Sequence, residues 1–440
     1  MSARFLFASW PFEGHVYPQI SIAKALRDRG DEVAFYTGER MRSVIEAERF
    51  AVFPFERVEE ASWLRVEASE RRVGGRKQSL RVGYQAFREW LVETIPGQVA
   101  DLEQIRQEWR PDVIVADFSL WGPIVILREA VPIPVVAWST LMGTMIPGPD
   151  APPSGFGFGP PRTSGARLRA SLLTRLTDVV ATGLRRRVDH FRAEHRLPPL
   201  GCSVSAFAAR SSLYLVGSLR ELDYERNDLP PTVHYVGACV WHPPTQPGAA
   251  AALNEIPADL PWVHVTEGTS HHQDPFVLRA AVEGLAGQPV HAILTTGQKR
   301  DPAELGLSAL PANVHLTRWV SHSELLPRCA AVVTTGGANT ILAALQAGVP
   351  VVVIPTTWDK PDNARRVVEA GVGVRLSPRR CTPERLRAAV EQVLDDPGYG
   401  ANARRIANLL ALAPGPAGAA DLLSALAATS SGVAVGTARR

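Results

Sequence analysis

Residues 329–363, CAAVVTTGGANTILAALQAGVPVVVIPTTWDKPDN, decide how the rest of this chain is read. Between Arg328 and Asp359 there is no charged side chain, so in a water-soluble protein the stretch is buried or faces a ligand through neutral polar groups. It is not a membrane-spanning helix, because Gly336, Gly337, Gly348 and Pro350 cut its apolar residues into runs far shorter than the roughly 20 that a bilayer requires. The pattern predicts a strand over 331–334, a glycine turn, a helix capped by Asn339 or Thr340 and running to Gln346, and a second strand over 350–354. Thr334, Thr335, Asn339 and Thr340 surround the turn, so backbone N–H groups and hydroxyls converge on the positive end of a helix dipole, a geometry suited to phosphate. Asp359, Lys360 and Asn363 follow the second strand. Both groups then lie beyond the carboxyl ends of adjacent parallel strands, where open α/β sheets take their ligands.

A chain of 440 residues is too long for one ordinary core, and two domains are expected. A hydrophobic share of 45% and a formal charge of +3, with a pI near 8.7 and a mean hydropathy of −0.02, argue against disorder, an integral membrane protein and a nucleic-acid partner. The four cysteines, at 202, 239, 329 and 381, show neither metal-ligand spacing nor a CxxC pair; they read as reduced thiols. A strand begins by Phe5 without the basic, apolar and small-residue regions of a signal peptide, which leads to a cytoplasmic expectation.

Taken in order, residues 4–9 read as a strand, 10–17 as a loop carrying Gly14 and His15, and the following residues to Arg29 as a helix, before a strand over 32–37. His15 therefore sits on the rim above the first strand. A lone histidine is commonly structural and needs a partner to do chemistry. PDVIVA at 111–116 reads as a buried strand that delivers Asp117 to the same rim. If the two touch, Asp117 fixes the tautomer of His15 and makes it a competent general base; a cap or salt bridge is the other use of that carboxylate, and the residues leave both open.

Residues 56–109 read as irregular helix containing Trp63, Phe87 and Trp90, and the Pro/Gly-rich loop after the strand at 135–138 reads as an apolar flap bearing Phe156 and Phe158. With Trp10, Phe12 and Met142, these side chains are the expected lining for a hydrophobic acceptor, and plain core is their other reading. Residues 167–196 read as one amphipathic helix whose Arg185, Arg186 and Arg187 form a solvated face, interrupted by Asp178, Asp189 and Glu194. After a strand at 213–216 comes a proline-rich linker. Strands at 262–266, 291–295 and 314–317, the Gly268-Thr269 turn and a Thr382-capped helix complete a second α/β half; Glu267, in the loop before Gly268, is an unusual residue there, with solvent exposure as its plain reading. The expected division is 1–224 for acceptor binding, 225–258 as linker, 259–412 for donor binding, 413–428 as a helix packing back on the first domain, and 429–440 as a frayed tail.

Four segments carry a resemblance: FEGHVYPQISIAKALRDRGDEVAFYTG at 12–38, RPDVIVAD at 110–117, DLPPTVHYVG at 228–237, and TTGGANTILAALQAGVPVVVIPTTWDKPDNARRVVEAGVG at 334–373. The chain resembles the GT-B glycosyltransferases of family 1, the UDP-glycosyltransferase-like and bacterial macrolide glycosyltransferase group. That likeness implies an α/β fold of two facing, doubly wound Rossmann-like domains. It implies His15 as catalytic base and Asp117 as its partner, Trp319 stacking on the nucleobase beside the Val320 backbone, and a diphosphate held by Gly268, Thr269, Thr335, Gly336, Gly337, Ala338, Asn339 and Thr340. Asp359 and Lys360 match the pair that reads sugar hydroxyls. Three departures stand out: Thr335 replaces a common phosphate-binding histidine, Ala343 a ribose-binding glutamate, and Lys360 a glutamine.

The implied reaction is an inverting transfer from a TDP- or UDP-sugar to a hydrophobic natural-product aglycone. It uses no cofactor and no metal, since no DxD element lies near the phosphate turn. Both small molecules are the expected partners, with no nucleic acid, no stable membrane insertion, and a monomer or homodimer. A non-catalytic helper of a true transferase and a sugar-nucleotide epimerase of the same fold are the alternatives.

Overall fold

Short runs of Val, Ile, Ala and Phe, buried on both faces, alternate with helices and build two wholly parallel sheets in the computed structural model, which describes residues 2–70, 72–73, 76–77, 80–244, 253–269, 274–298, 300–306 and 309–437. The first sheet has seven strands, β1 (Arg4–Ala8), β2 (Glu32–Thr37), β3 (Ala51–Pro54), β4 (Val113–Asp117), β5 (Val135–Ser139), β6 (Tyr214–Val216) and β7 (Val233–Tyr235), in the spatial order 3-2-1-4-5-6-7. The second has six, β8 (Trp262–Thr266), β9 (His291–Thr295), β10 (Val314–Thr317), β11 (Cys329–Thr334), β12 (Val351–Val353) and β13 (Gly373–Arg375), in the order 10-9-8-11-12-13. Each sheet reverses direction beside its first strand, between β1 and β4 and between β8 and β11, the switch points at which such sheets open a crevice. This is the two-domain GT-B architecture.

Strand alternation divides the first core between two faces: Leu6 and Ala8 pack on one side of β1, while Phe5 and Phe7 pack on the other. The C-terminal helix Gly415–Thr437 inserts Ala419, Ala420, Leu423 and Ala427 into this second face. Arg29 fixes its start with bonds to the Ala417 carbonyl at 2.8 Å and the Asp421 carboxylate at 2.6 Å. The return of the chain to its first domain is thus as expected. The helix is longer than expected, and the frayed tail at 429–440 is corrected: the helical backbone runs to Thr437, and 438–440 lie outside the described residues.

Other boundaries move for local reasons. The expected linker at 225–258 starts too early, because Val233–Tyr235 pairs with β6 as the edge of the first sheet; its prolines hid a three-residue strand. The single helix at 167–196 is two, Ser164–Val180 and Thr182–Glu194, meeting at Ala181. Arg187 there is not merely solvated, since its guanidinium pairs with Glu93 at 3.0 Å. Helix Ala338–Gln346 takes Gly337 as N-cap, with no side-chain cap, so Asn339 and Thr340 lie in its first turn.

Several contacts join the halves near the crevice. Asp223 of the first domain accepts two bonds from the Arg366 guanidinium, at 3.0 and 2.8 Å. Asp362 of the second accepts the backbone N–H groups of Gly155 at 2.5 Å and Gly157 at 2.7 Å. Asn339 donates to the Gly14 carbonyl at 3.1 Å.

Candidate active site

The helix Glu13–Arg27 begins sooner after β1 than expected, so His15 lies in its first turn and not in a loop. Parallel pairing of β1 with β4 sets Asp117, the last residue of β4, beside it. His15 Nδ1 is 3.0 Å from Asp117 Oδ2. The other oxygen, Oδ1, accepts from the Ser119 backbone N–H at 2.9 Å and from the Ser119 hydroxyl, so the carboxylate cannot rotate without breaking an Asx-type turn. Because a carboxylate accepts, Nδ1 carries the proton and Nε2 is the nitrogen left for proton removal.

Burial alone would lower the His15 pKa, but the charge and hydrogen bond of Asp117, with a weaker pull from Asp359, outweigh it and raise the pKa above 6.5. The imidazole is bracketed by Phe12 at 5.3 Å and Phe118 at 5.9 Å between ring centroids, which fixes its plane.

An aromatic wall runs outward from His15. Phe12 meets Trp63 at 5.2 Å and Trp90 at 6.0 Å, and Trp90 meets Phe87 at 6.2 Å. Trp10, Trp90 and Met142 are corrected: Trp90 is buried in the core at 5% exposure and backs the wall from within. Trp10 has no exposed surface, lies beneath Phe12 and Trp90 and donates Nε1 to the Ser119 carbonyl; it supports the wall from behind. Met142 is likewise fully buried, in the cluster containing Ile341 and Leu342. Phe156 and Phe158 are exposed on the flap and stack on each other at 5.6 Å.

On the facing side, β11 ends in Thr334, and Gly336 turns with φ of +98°. A Cβ there would fall 2.9 Å from Val353 Cγ1 and 3.2 Å from Lys360 Cβ, so the turn requires glycine on both backbone and packing grounds. It delivers the first turn of helix Ala338–Gln346, whose N–H groups have no partners within the helix and face the crevice end of the sheet. Gly268 turns with φ of +74° at the end of β8, with Thr269 exposed beside it. Asp359 and Gly336 are tied together through Asn363, whose amide reaches the Asp359 carboxylate at 2.7 Å and the Gly336 carbonyl at 2.9 Å. Lys360 is buried and donates to the Thr356 hydroxyl at 3.1 Å.

Trp319 is half-buried and Val320 buried at the end of β10. Behind the indole lies His322, at 6.1 Å between ring centroids, and burial pushes the pKa of the adjoining His264 down to about 4. The two histidines behind Trp319 are therefore uncharged near neutral pH. Thr335 points away from the turn: it is 1% exposed, and its hydroxyl donates to the Glu267 carbonyl at 2.8 Å. Glu267 is corrected in turn. Its carboxylate is buried, bonded to Arg300 at 3.0 Å and to the Val277 N–H at 3.1 Å, and burial, opposed by these partners, holds its pKa above the usual range. Ser119, Asp362 and the Asp223–Arg366 pair escaped the sequence reading; the Asp-Phe-Ser turn carried a local signal, whereas the others have none.

Residues 290–426 match the family described as erythromycin biosynthesis protein CIII-like, C-terminal domain. The chain is 34% identical over 430 residues to 4'-demethylrebeccamycin synthase of Lentzea aerocolonigenes, covering 97% of this chain and 100% of that one. It belongs to glycosyltransferase family 1. Among solved structures, the glycotransferase of kitacinnamycin aligns with a TM-score of 0.75 at 23% identity, covering 97% of this chain and 99% of that one. The spinosyn rhamnosyltransferase SpnG, solved with thymidine diphosphate, aligns with a TM-score of 0.68 at 18% identity, covering 96% and 100%. This family 1 glycosyltransferase therefore has its histidine and carboxylate on one wall of the crevice and its glycine turn on the other.

Proposed function

We propose that this glycosyltransferase moves a sugar from a TDP- or UDP-sugar to a hydroxyl of a hydrophobic aglycone with inversion at the anomeric carbon. One observation carries the reading: Asn339, in the first turn of the donor-side helix, bonds the carbonyl of Gly14, the residue preceding His15. The general base and the anion-binding helix terminus thus meet across the crevice. His15 Nε2 takes the acceptor proton as the acceptor oxygen attacks the anomeric carbon, and the bond from that carbon to the β-phosphate oxygen breaks on the opposite face. The electron pair leaves with the diphosphate, which the N–H groups of Ala338–Gln346 stabilise without protonation.

Thymidine diphosphate in SpnG supports a thymidine donor, and the uncharged histidines behind Trp319 suit a neutral base. The sequence has no DxD element near the turn, and in this reading no metal is required. Asp359, tied to the turn through Asn363, orients the sugar hydroxyls. The wall of Phe12, Trp63 and Phe87, backed by buried Trp90, supports a hydrophobic acceptor.

Replacing His15 with Ala tests this directly. Turnover with a TDP- or UDP-sugar and a transferred acceptor should fall by about 100-fold or more, while the affinity for thymidine diphosphate stays within about twofold. Turnover near that of the parent chain would refute the base, and a product of retained anomeric configuration would refute inversion.

A further inference from the structure

Trp358 ends the loop after β12, next to Asp359, and takes φ of +65°. A bulky side chain adopts this left-handed backbone where its surroundings enforce it, and such strain collects at functional sites. The residue is 39% exposed, and its indole does not fold back on its own domain's core. It crosses the crevice to meet Phe87 at 5.3 Å and, edge-on, Trp90 at 5.5 Å with an interplanar angle of 85°. A Cβ on Gly155 of the flap would lie 3.8 Å from the Trp358 carbonyl. One strained residue therefore touches the acceptor wall, lies beside the flap and adjoins Asp359.

We propose that Trp358 is a specificity residue contributed by the donor half: its exposed ring completes the aromatic wall and selects acceptors that present a flat aromatic face. This rests on the transferase reading above and names the class of acceptor. Rings gain from offset or edge-to-face contact beyond the area they bury, so a planar polycyclic phenol gains from this wall what a puckered aliphatic alcohol does not. The aromatic wall is complete when the donor half is in place, and an acceptor seated on Trp358 is held one residue from the carboxylate that orients the sugar.

The test uses the full chain and direct titration calorimetry with alizarin as the flat probe, cyclododecanol as the puckered one, and thymidine diphosphate. Trp358→Gly and Trp358→Asn both tolerate the left-handed backbone and remove the ring; Trp358→Phe keeps a ring. Either ring-free variant should bind alizarin about tenfold more weakly, with cyclododecanol and thymidine diphosphate unchanged within about twofold, and Trp358→Phe should restore most of the loss. Equal weakening of both alcohols would reduce Trp358 to interdomain packing, and unchanged alizarin binding, or none by the parent chain, would overturn the selection. A parent chain that binds alizarin through Trp358 but transfers no sugar from any TDP- or UDP-sugar would instead refute the transferase reading and leave this recognition standing.

Discussion

His15 Nδ1 lies 3.0 Å from Asp117 Oδ2, and Asp117 is fixed on its far side by Ser119. Burial and the carboxylate act oppositely on the imidazole, and the carboxylate prevails. The base works neutral, so activity is lost as pH falls through the His15 pKa, and the acid limb of kcat/KM should lie above pH 6.5. In Asp117→Asn the hydrogen bond can persist but the charge is gone, leaving burial to dominate. The limb should then move below 6.5, with the rate at pH 8 reduced by about 100-fold. The stability linkage has the opposite sense: with a raised folded pKa, the pair's contribution is full below the unfolded histidine value and fades as pH rises through the folded one. An acid limb that does not move would show that Asp117 does not tune this base.

Much of this architecture is legible before any coordinates, because parallel strands buried on both faces leave continuous apolar runs and strand ends announce their rim residues. Asp117, Gly336 and Asp359 are all found this way. What fails is facing. Trp10 and Phe12 are two residues apart, yet one is core and the other wall, and composition does not separate them. The start of the first helix is hidden in the sequence because Phe12 is a cap without a capping side chain and Pro18 lies within the helix. Asp223 and Arg366 are 143 residues apart, and neither has a neighbour in sequence that marks it.

The Asp223–Arg366 pair should be the most sensitive electrostatic point between the halves. The two side chains are 2% and 8% exposed. Burial would raise the Asp223 pKa, but Arg366, the Tyr235 hydroxyl and the Thr144 N–H together hold it below the usual range. Its contribution is thus present above the unfolded carboxyl pKa of about 3.9 and is lost as pH falls through the lower folded value. Arg366→Ala leaves a buried carboxylate without its cation and should cost roughly 3–5 kcal/mol in urea unfolding, whereas Asp223→Asn with Arg366→Met should recover much of the loss. A single-variant cost below about 1 kcal/mol would mean that water or another cation replaces the guanidinium.

Thr335 separates a binding role from a structural one. Its hydroxyl is committed to the Glu267 carbonyl, which also orders the buried Glu267–Arg300 pair. Thr335→Val keeps the shape and removes that bond. Unfolding should become easier by about 1 kcal/mol, while the affinity for thymidine diphosphate changes by less than about twofold. A tenfold loss of affinity with unchanged stability would return the hydroxyl to the diphosphate.

Asp362 holds the flap by two backbone N–H groups, those of Gly155 and Gly157. The Tyr224 hydroxyl donates to the Phe158 carbonyl at 2.8 Å, Arg375 adds a longer bond to the Gly157 carbonyl and Arg162 an exposed pair with Glu369, and Asp362 is the one charged acceptor that takes two flap N–H groups. Charge-assisted bonds to backbone donors are stronger than neutral ones, and the arrangement keeps an otherwise loop-rich segment seated on the helix Lys360–Glu369. Asp362→Ala should free the segment without disturbing either sheet. Cleavage near Phe156 and Phe158 by chymotrypsin under native conditions should speed up by about tenfold or more, while the urea midpoint shifts little. Asp362→Asn, which retains one acceptor oxygen, should fall between. Equal cleavage rates in all three proteins would show that the flap is held by its own packing and not by the donor-side carboxylate.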